Sequence, residues 1–307
     1  MRALCLFLAA LPLAAQVDRT ITLEAVPGSV QFSSDGKSLI TACRDNQIRV
    51  IDVNTGKQLR AKKHEGGSLM SGGRLVDRDA NKNIRVWDLT ADRYQQIMDA
   101  SAGRGRTALS SDGKHLAIAD TNARQVLLYE VGSAKRRHSL PDGLGGAAEL
   151  LFSPDGSSVV SANYDNDVRV WNTRSGELLR KMEDMTGAMF AGQFTPDGKQ
   201  LLLAGLDETI YVFDAKTFQR QRTIKGHDET ISALAVSPDG KMIVTGGFDV
   251  RTTQNPVKVV LWDAASGKAV KTLRSPHRVV SLAFSPDSKM LAMTSGDKEI
   301  TLWKLSN

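Results

Sequence analysis

The stretch GHDETISALAVSPDGKMIVTGGFDVRTTQNPVKVVLWD, residues 226–263, contains one regular unit of the chain. Two apolar runs flank the turn sequence SPDG, and the unit closes on VVLWD, where apolar residues precede a Trp-Asp pair. Short apolar runs separated by Pro, Asp and Gly are typical of antiparallel strands joined by tight turns. The unit therefore predicts β structure, interrupted only by VRTTQNP at 250–256.

The closing pattern of this unit recurs along the chain at a nearly constant period. Seven marker residues, each large and apolar or aromatic, occupy the position of the Trp: Ile51, Trp87, Tyr129, Trp171, Phe213, Trp262 and Trp303. They lie 36 to 49 residues apart, and three of the six intervals are 42 residues. Such a period indicates a repeat architecture, because one unit alone cannot bury its apolar faces. A second turn after the marker, as in NTRSG, predicts four strands per unit.

A Gly-His pair, a turn Asp and a Trp-Asp ending at this period resemble the WD-repeat β-propeller family, here of a bacterial exported type. Gly226, His227, Asp249, Trp262 and Asp263 carry all of these marks in one unit. The resemblance covers roughly residues 17–307 and implies an all-β fold, a seven-bladed propeller of four-stranded antiparallel blades. We expect the N-terminal segment DRTITLEA to pair with the C-terminal ITLWKLSN in one blade, which closes the ring.

Two units depart from the repeat. The second unit lacks the Ser-Pro-Asp-Gly turn and is about six residues short, which predicts abbreviated first and second strands. In the third unit Ala123 stands where the turn Asp is expected.

The first residues, MRALCLFLAALPLAAQ, place Arg2 before an apolar run that ends at Ala15. The run has 13 residues, whereas a membrane-spanning helix needs about 20. This layout predicts a signal peptide over 1–15, a mature propeller over 16–307 and no stable membrane span after cleavage. Retention of the segment as an anchor is the alternative. The predicted location is exported, periplasmic or secreted, and the mature chain keeps one cysteine, Cys43, which cannot form an internal disulfide.

The chain has 40 Lys and Arg against 34 Asp and Glu, and a net charge of +6. Because the basic residues are spread along the sequence, we predict no nucleic-acid binding and ascribe the charge to solubility or weak attraction to anionic envelope material. The cluster KRRH at 135–138 falls in or beside a predicted outer strand and is interpreted as a solvated face.

The resemblance implies a structural role for the residues of the best-matched unit. In the family a His, a Ser or Thr, an Asp and a Trp form a buried hydrogen-bonded relay, which here would be His227, Thr245, Asp249 and Trp262. The chain has no Gly-x-Ser-x-Gly sequence around a nucleophile, so we interpret these residues as structural and predict no catalytic residues. No cofactor is predicted.

One stretch invites a metal-site interpretation. DRDANKN spaces Asp77, Asp79, Asn81 and Asn83 at alternate positions, as a calcium loop begins. However, Lys82 occupies the position that needs Gly, and the twelfth position is not Glu. A solvated turn of the second blade is the favoured interpretation, and no metal site is predicted.

By resemblance, partners bind on the propeller face formed by the loops that enter each first strand and the turns between second and third strands. Residues predicted for this rim of the central channel are Arg44, Tyr164, Phe190, Leu206, Phe248 and Arg278. The insertion at 250–256 would project beside Phe248. The functional hypothesis is a monomeric, non-enzymatic scaffold that binds a protein or peptide. The alternative is a propeller enzyme, such as a lactonase-like hydrolase, with its site at the channel mouth.

Overall fold

The computed structural model describes residues 15–64, 68–70, 74–79, 81, 83–88, 93–97, 105–120, 122–142, 146–183, 185–249 and 256–305. Over these ranges the chain is all-β, with 28 strands in seven four-stranded antiparallel sheets. Each sheet is one blade of a propeller, and the predicted fold class is confirmed. Residues 1–14, which contain nearly all of the predicted signal segment, lie outside the described residues.

In blades 1 to 6 the four strands are consecutive in the chain, and each blade is described from its innermost strand outward. Blade 1 consists of β2 (Pro27–Phe32), β3 (Ser38–Cys43), β4 (Gln47–Asp52) and β5 (Gln58–Lys63). Blade 2 consists of β6 (Ser68–Met70), β7 (Arg74–Arg78), β8 (Ile84–Asp88) and β9 (Arg93–Ile97). Blade 3 consists of β10 (Thr107–Leu109), β11 (His115–Asp120), β12 (Gln125–Glu130) and β13 (Lys135–Pro141). Blade 4 consists of β14 (Ala147–Phe152), β15 (Ser158–Asn163), β16 (Val168–Asn172) and β17 (Leu178–Met182).

The remaining three blades follow the same order, except that blade 7 takes its outer strand from the N-terminus. Blade 5 consists of β18 (Met189–Phe194), β19 (Gln200–Gly205), β20 (Ile210–Asp214) and β21 (Arg220–Ile224). Blade 6 consists of β22 (Thr230–Val236), β23 (Met242–Phe248), β24 (Val257–Asp263) and β25 (Ala269–Ser275). Blade 7 consists of β26 (Val279–Phe284), β27 (Met290–Ser295), β28 (Glu299–Leu305) and β1 (Ala15–Thr22).

The first strands of the blades form a closed ring. Each one contacts the first strand of the next blade, from β2 through β6, β10, β14, β18 and β22 to β26, which contacts β2 again. The ring is sealed in blade 7, where β1 pairs antiparallel with β28 from Ala15 opposite Leu305 to Thr22 opposite Glu299. The predicted closure is therefore confirmed, and β1 begins at the last residue of the predicted signal segment.

The apolar core is divided among the interfaces between blades. Seven clusters of buried apolar residues occur, and each draws its members from two neighbouring blades, including the pair formed by blades 7 and 1. Both faces of the inner strands are thus covered, which is why their sequences are nearly continuous apolar runs. The marker residues lie in the third strands and take part in these interfaces; Phe213 and Trp262, for example, are almost fully buried.

The turns between first and second strands owe their shape to a repeated hydrogen-bond pattern. In six blades a Ser or Thr hydroxyl donates to the Asp carboxylate two residues later, over 2.6–2.7 Å. In blade 1 Asp35 also accepts the backbone N–H of Lys37, and the hydrogen bond from Ser33 lowers the pKa of that carboxyl. The residue after the Asp has a left-handed backbone, with φ of 71° at Gly36, which explains the Asp-Gly sequences.

Blades 2 and 6 depart from the regular repeat where the sequence predicts it. In blade 2, β6 has three residues and β7 has five, so both strands are short, as predicted. In blade 6, β23 ends at Phe248 and β24 begins at Val257, which places the insertion between the second and third strands. Residues 250–255, including Thr252, Thr253, Gln254 and Asn255, lie outside the described residues.

Candidate functional site

One face of the ring is built from β-bulges at the start of the first strands. In β2, β14, β18, β22 and β26 the register with the second strand shifts by one residue, so one residue of each first strand has no partner. These extra residues are Gly28, Ala148, Phe190, Ser232 and Val280. A bulge redirects the side chain that it leaves unpaired. Phe190 is the one aromatic residue among the five.

The turns between second and third strands lie against the segments that enter the first strands. The backbone N–H of Arg44 donates to Val26 O (2.9 Å), that of Tyr164 to Gly146 O (3.2 Å), and that of Leu206 to Ala188 O (2.9 Å). In each case the hydrogen bond joins the first residue of the turn to the residue two positions before the bulge residue of the same blade. The turn residues and the bulge residues therefore share one face, as the resemblance implied.

Two neighbouring blades bring apolar side chains together on this face. The ring centroids of Tyr164 in blade 4 and Phe190 in blade 5 lie 5.9 Å apart, with the ring planes inclined at 55°. The side chain of Leu206 lies over the entry to blade 5, since a Cβ atom built on Gly187 would come within 3.2 Å of the Leu206 Cβ atom. Tyr164 is 57% exposed, Leu206 is 44% exposed and Phe190 is half-buried. Tyr164, Phe190 and Leu206 form what we call the aromatic rim patch.

The other three residues predicted for the rim occupy separate positions. Phe248 is half-buried at the end of β23, where it pairs with Thr230, and the described part of the chain shows no ring contact between it and the patch. Arg44 is exposed in the turn of blade 1, and Arg278 is exposed in the segment that enters blade 7. The structure thus joins Tyr164 with Phe190 directly and leaves the two arginines on other blades.

A carboxyl group at the rim escaped the sequence analysis. Glu149 directly follows the bulge residue Ala148 in β14, one position further along the strand than the bulge residue Phe190 in β18. Burial raises the pKa of Glu149 to about 7, although the nearby Arg106 guanidinium acts in the opposite direction. Aligning the repeats on the residue after the bulge would have found it, since blades 5 and 6 have Ala191 and Ala233 there.

The proposed relay of blade 6 is partly formed. Trp262 Nε1 donates to Thr245 Oγ1 over 2.8 Å, and both residues are buried. His227 is buried in the segment that enters blade 6, but neither ring nitrogen has a hydrogen-bond partner among the described residues. Burial lowers the pKa of His227 to about 4, which keeps the ring neutral. Asp249 is half-buried at the end of β23.

Blade 4 forms a relay that the sequence analysis missed. Trp171 Nε1 donates to Ser161 Oγ (3.3 Å), and Ser161 Oγ donates to Asp142 Oδ1 (2.5 Å). Asn163 Nδ2 also donates to the backbone oxygen of Asp142. Asp142 therefore occupies the place of the His, and burial raises the pKa of its carboxyl to about 6. The sequence contained a signal for this relay, because Ser161 lies ten residues before the marker residue Trp171.

Blade 2 replaces the relay by a buried ion pair. Asp77 accepts hydrogen bonds from Arg85 Nε (2.8 Å), Arg85 Nη2 (2.6 Å) and Trp87 Nε1 (3.0 Å). Asp77 is buried, so the interpretation of the whole stretch as a solvated turn was wrong for this residue. Asp79 is a turn residue that accepts the backbone N–H of Asn83. Within the described ranges no three His, Cys, Asp or Glu side chains converge on a metal position.

Comparison with known proteins agrees with this geometry. The model of the family "WD domain, G-beta repeat" matches four stretches of the chain, residues 24–52, 142–172, 218–249 and 267–304. Three of the four stretches end in or just beyond the third strand of a blade, and the third stretch ends just after β23. The chain belongs to the WD-repeat family. WD-repeat propellers generally mediate protein interactions.

Similar proteins come from distant organisms. The chain is 28% identical over 172 residues to WD repeat-containing protein sll1491 of Synechocystis sp., covering 56% of this chain and 39% of that protein. It is 24% identical over 157 residues to human apoptotic protease-activating factor 1, covering 49% and 12%. It is 25% identical over 149 residues to the LST8 homolog of Drosophila melanogaster, covering 45% and 47%. The chain thus spans less than half the length of each of these relatives.

Helices that could cross a bilayer are absent from the part of the WD-repeat chain that the structure describes.

Proposed function

We propose that this WD-repeat propeller binds a protein or peptide partner at the aromatic rim patch and that it catalyses no reaction. The observation that carries the proposal is the exposed contact between Tyr164 and Phe190, with Leu206 beside it, on adjacent blades. Aromatic side chains that bury a large area on binding provide much of the free energy in protein interfaces. Membership of a family that mediates protein interactions supports this assignment.

The location of the patch distinguishes it from other exposed apolar residues. Eight large apolar residues are more than a third exposed in the described part of the chain, and six of them lie on the outer strands of the blades. Tyr164 and Leu206 are the two that lie on the rim, and they are on neighbouring blades. A grouped apolar surface at the rim indicates a binding site more strongly than single apolar residues do.

The backbone holds the patch in place before any partner arrives. The turn that carries Tyr164 is closed by the hydrogen bond from Asn163 N–H to Asp167 O (2.9 Å), and Asn166 has a left-handed φ of 66°. Phe190 is fixed by the bulge in β18. Little conformational freedom is lost when such residues bind, which favours affinity.

Acidic residues around the patch favour a particular kind of partner. Asp165 directly follows Tyr164 in the turn of blade 4, and Asp207 and Glu208 directly follow Leu206 in the turn of blade 5. A segment that offers an apolar or aromatic side chain to the patch would bring its neighbouring residues next to these carboxyl groups. We therefore favour a peptide with a basic residue near its apolar anchor.

The test is selection of binding peptides on the purified chain from a displayed random library. For the selected peptides we expect Tyr164→Ser combined with Phe190→Ser to weaken binding at least tenfold, because both rings lose the area they bury. Titration calorimetry or fluorescence anisotropy measures the change. About 1.4 kcal/mol corresponds to each factor of ten in the dissociation constant.

Leu59→Ser combined with Val270→Ser serves as the matched control, since it removes two exposed apolar side chains from outer strands. Binding that survives in the rim variant but fails in the control would reject the proposed site. Turnover of lactones or esters by the purified chain would support the hydrolase alternative instead.

The proposal includes export, which is supported by the sequence pattern of residues 1–15. Cleavage after Ala15 would remove one residue of β1 and leave Gln16–Thr22 to pair with β28. We expect the mature chain from a native host to begin at Gln16, as measured by intact-mass spectrometry and N-terminal sequencing. Recovery of the chain with residues 1–15 attached would contradict cleavage.

A further inference from the structure

The outer strands of the seven blades carry charge of almost one sign. Within the bounds of β1, β5, β9, β13, β17, β21 and β25 there is a single acidic residue, Asp18. The same strands contain fourteen basic residues: Arg19, Arg60, Lys62, Lys63, Arg93, Lys135, Arg136, Arg137, Arg180, Lys181, Arg220, Arg222, Lys271 and Arg274. The three inner strands of the blades together hold seven basic and nine acidic residues. The positive charge is therefore concentrated at the circumference.

Protection of exposed sheet edges explains only part of this composition. Charged residues on an edge strand prevent pairing with the edge of another sheet. Acidic residues would give this protection as well as basic ones, so protection alone does not explain why nearly all the charges are positive. The near absence of acidic residues points to an anionic partner. Nine of the fourteen basic residues are Arg, whose planar guanidinium binds phosphate oxygens with two parallel hydrogen bonds.

Exposed apolar residues share these outer strands with the basic ones. Six of the eight exposed large apolar residues lie there: Val17, Leu59, Tyr94, Leu178, Leu179 and Val270. Leu59, Leu179 and Val270 are the extra residues of β-bulges opposite the marker residues of blades 1, 4 and 6. The bulge leaves each of them without a partner on the third strand, and they project from the circumference.

Blades 3 and 4 combine both kinds of residue most densely. Lys135, Arg136 and Arg137 of β13 are exposed, as is Arg180 of β17, and none of the four forms an ion pair within the described residues. Leu178 and Leu179 of β17 are 46% and 51% exposed. The two blades are joined here, since His138 Nε2 donates to Arg174 O over 3.0 Å. We call these six exposed residues of β13 and β17 the basic apolar edge.

We propose that the basic apolar edge docks the propeller onto the surface of a bilayer rich in anionic phospholipid. The Lys and Arg side chains would bind lipid phosphates, and Leu178 and Leu179 would enter the boundary between headgroups and acyl chains. The two adjacent leucines favour a lipid surface over nucleic acid. Nucleic acid offers phosphates but no apolar layer that the leucines could enter. This docking uses the circumference and leaves the aromatic rim patch accessible.

Co-sedimentation with vesicles tests the proposal directly. We expect the chain over residues 16–307 to bind vesicles of phosphatidylcholine and phosphatidylglycerol, to bind pure phosphatidylcholine at least tenfold more weakly, and to lose binding as salt rises. Arg136→Gln, Arg137→Gln and Arg180→Gln combined should reduce binding to the anionic vesicles at least tenfold. Leu178→Ser with Leu179→Ser should also reduce it, with the remaining binding more sensitive to salt.

Lys37→Gln, Lys199→Gln and Lys289→Gln combined provide the matched control. These lysines are exposed in turns between first and second strands, so the variant loses the same charge away from the edge. Circular dichroism checks that each variant is folded, and Arg180→Gln alone replaces the triple variant if that one fails to fold. Equal loss in the control, no preference for anionic vesicles, or binding to duplex DNA without binding to vesicles would each overturn the proposal.

Discussion

Deletion of residues 16–22 is expected to open the ring and destabilise the whole propeller. The deletion removes β1, exposes the backbone of β28 along the pairing from Gln16 to Thr22, and removes the buried Ile21 from the cluster shared by blades 7 and 1. Loss of one buried Ile and several strand hydrogen bonds amounts to about 5 kcal/mol. For a chain of this size that corresponds to a fall in melting temperature of about 10 °C or more, measured by differential scanning calorimetry.

A circular permutant provides a matched control for this deletion. Ala15 pairs with Leu305, so a strand with the sequence of residues 15–22 can follow Leu305 through an Asn-Gly turn and run along β28 in its native direction and register. The chain would then begin at Leu23 and end on residues 15–22, with Asn-Gly in place of residues 306 and 307. We expect the permutant to recover most of the lost stability. A deletion variant as stable as the parent would show that pairing in blade 7 does not hold the ring closed.

Asp77→Ala is expected to be the most damaging single substitution in the inner strands of blade 2. The carboxylate is fully buried and binds both the Arg85 guanidinium and the Trp87 indole. Its removal leaves a largely buried cation and an indole N–H without these acceptors. Breaking such a pair by removing one partner costs about 3–5 kcal/mol. Chemical unfolding followed by circular dichroism measures the change in the free energy of unfolding.

Two comparisons separate loss of the ion pair from loss of an aspartate in general. Asp197→Ala removes an exposed turn carboxylate and should cost less than about 1.5 kcal/mol. Asp77→Leu with Arg85→Met removes both charges and should recover part of the stability lost in Asp77→Ala. If Asp77→Ala cost no more than Asp197→Ala, the buried pair would not contribute to the stability of blade 2.

The repeat made the fold predictable from the sequence. The seven marker residues and the Asp-Gly turns fix where third strands and hairpins occur, and the structure places a marker in the third strand of every blade. Family matching alone covers four stretches of the chain and leaves blades 2 and 3 and the first three strands of blade 5 without a match. The constant repeat period still predicted these blades. A closed ring needs strands in every repeat interval, even where the sequence motif has diverged.

The candidate site was only partly accessible from the sequence. Tyr164 and Phe190 lie 26 residues apart, and their contact depends on the bulge in β18 and on the docking of the turn in blade 4, neither of which has a strong local signal. Asp142 and Asp77 replace different members of the relay, and only the structure shows which polar neighbour each one meets. Glu149 was missed because a single acidic residue within an apolar strand forms no sequence motif that would indicate a site.

The pairing of β1 with β28 sets the timing of folding. Among the described strands, β1 comes first in the chain and must wait for β28, which comes last, since Thr22 and Glu299 are opposite each other in the finished sheet. Blades 1 to 6 are each built from one continuous segment and can form locally, whereas blade 7 requires β1 together with β26, β27 and β28. Contacts between such distant segments slow the final step of folding. The last interblade interfaces to be completed should therefore be those on either side of blade 7.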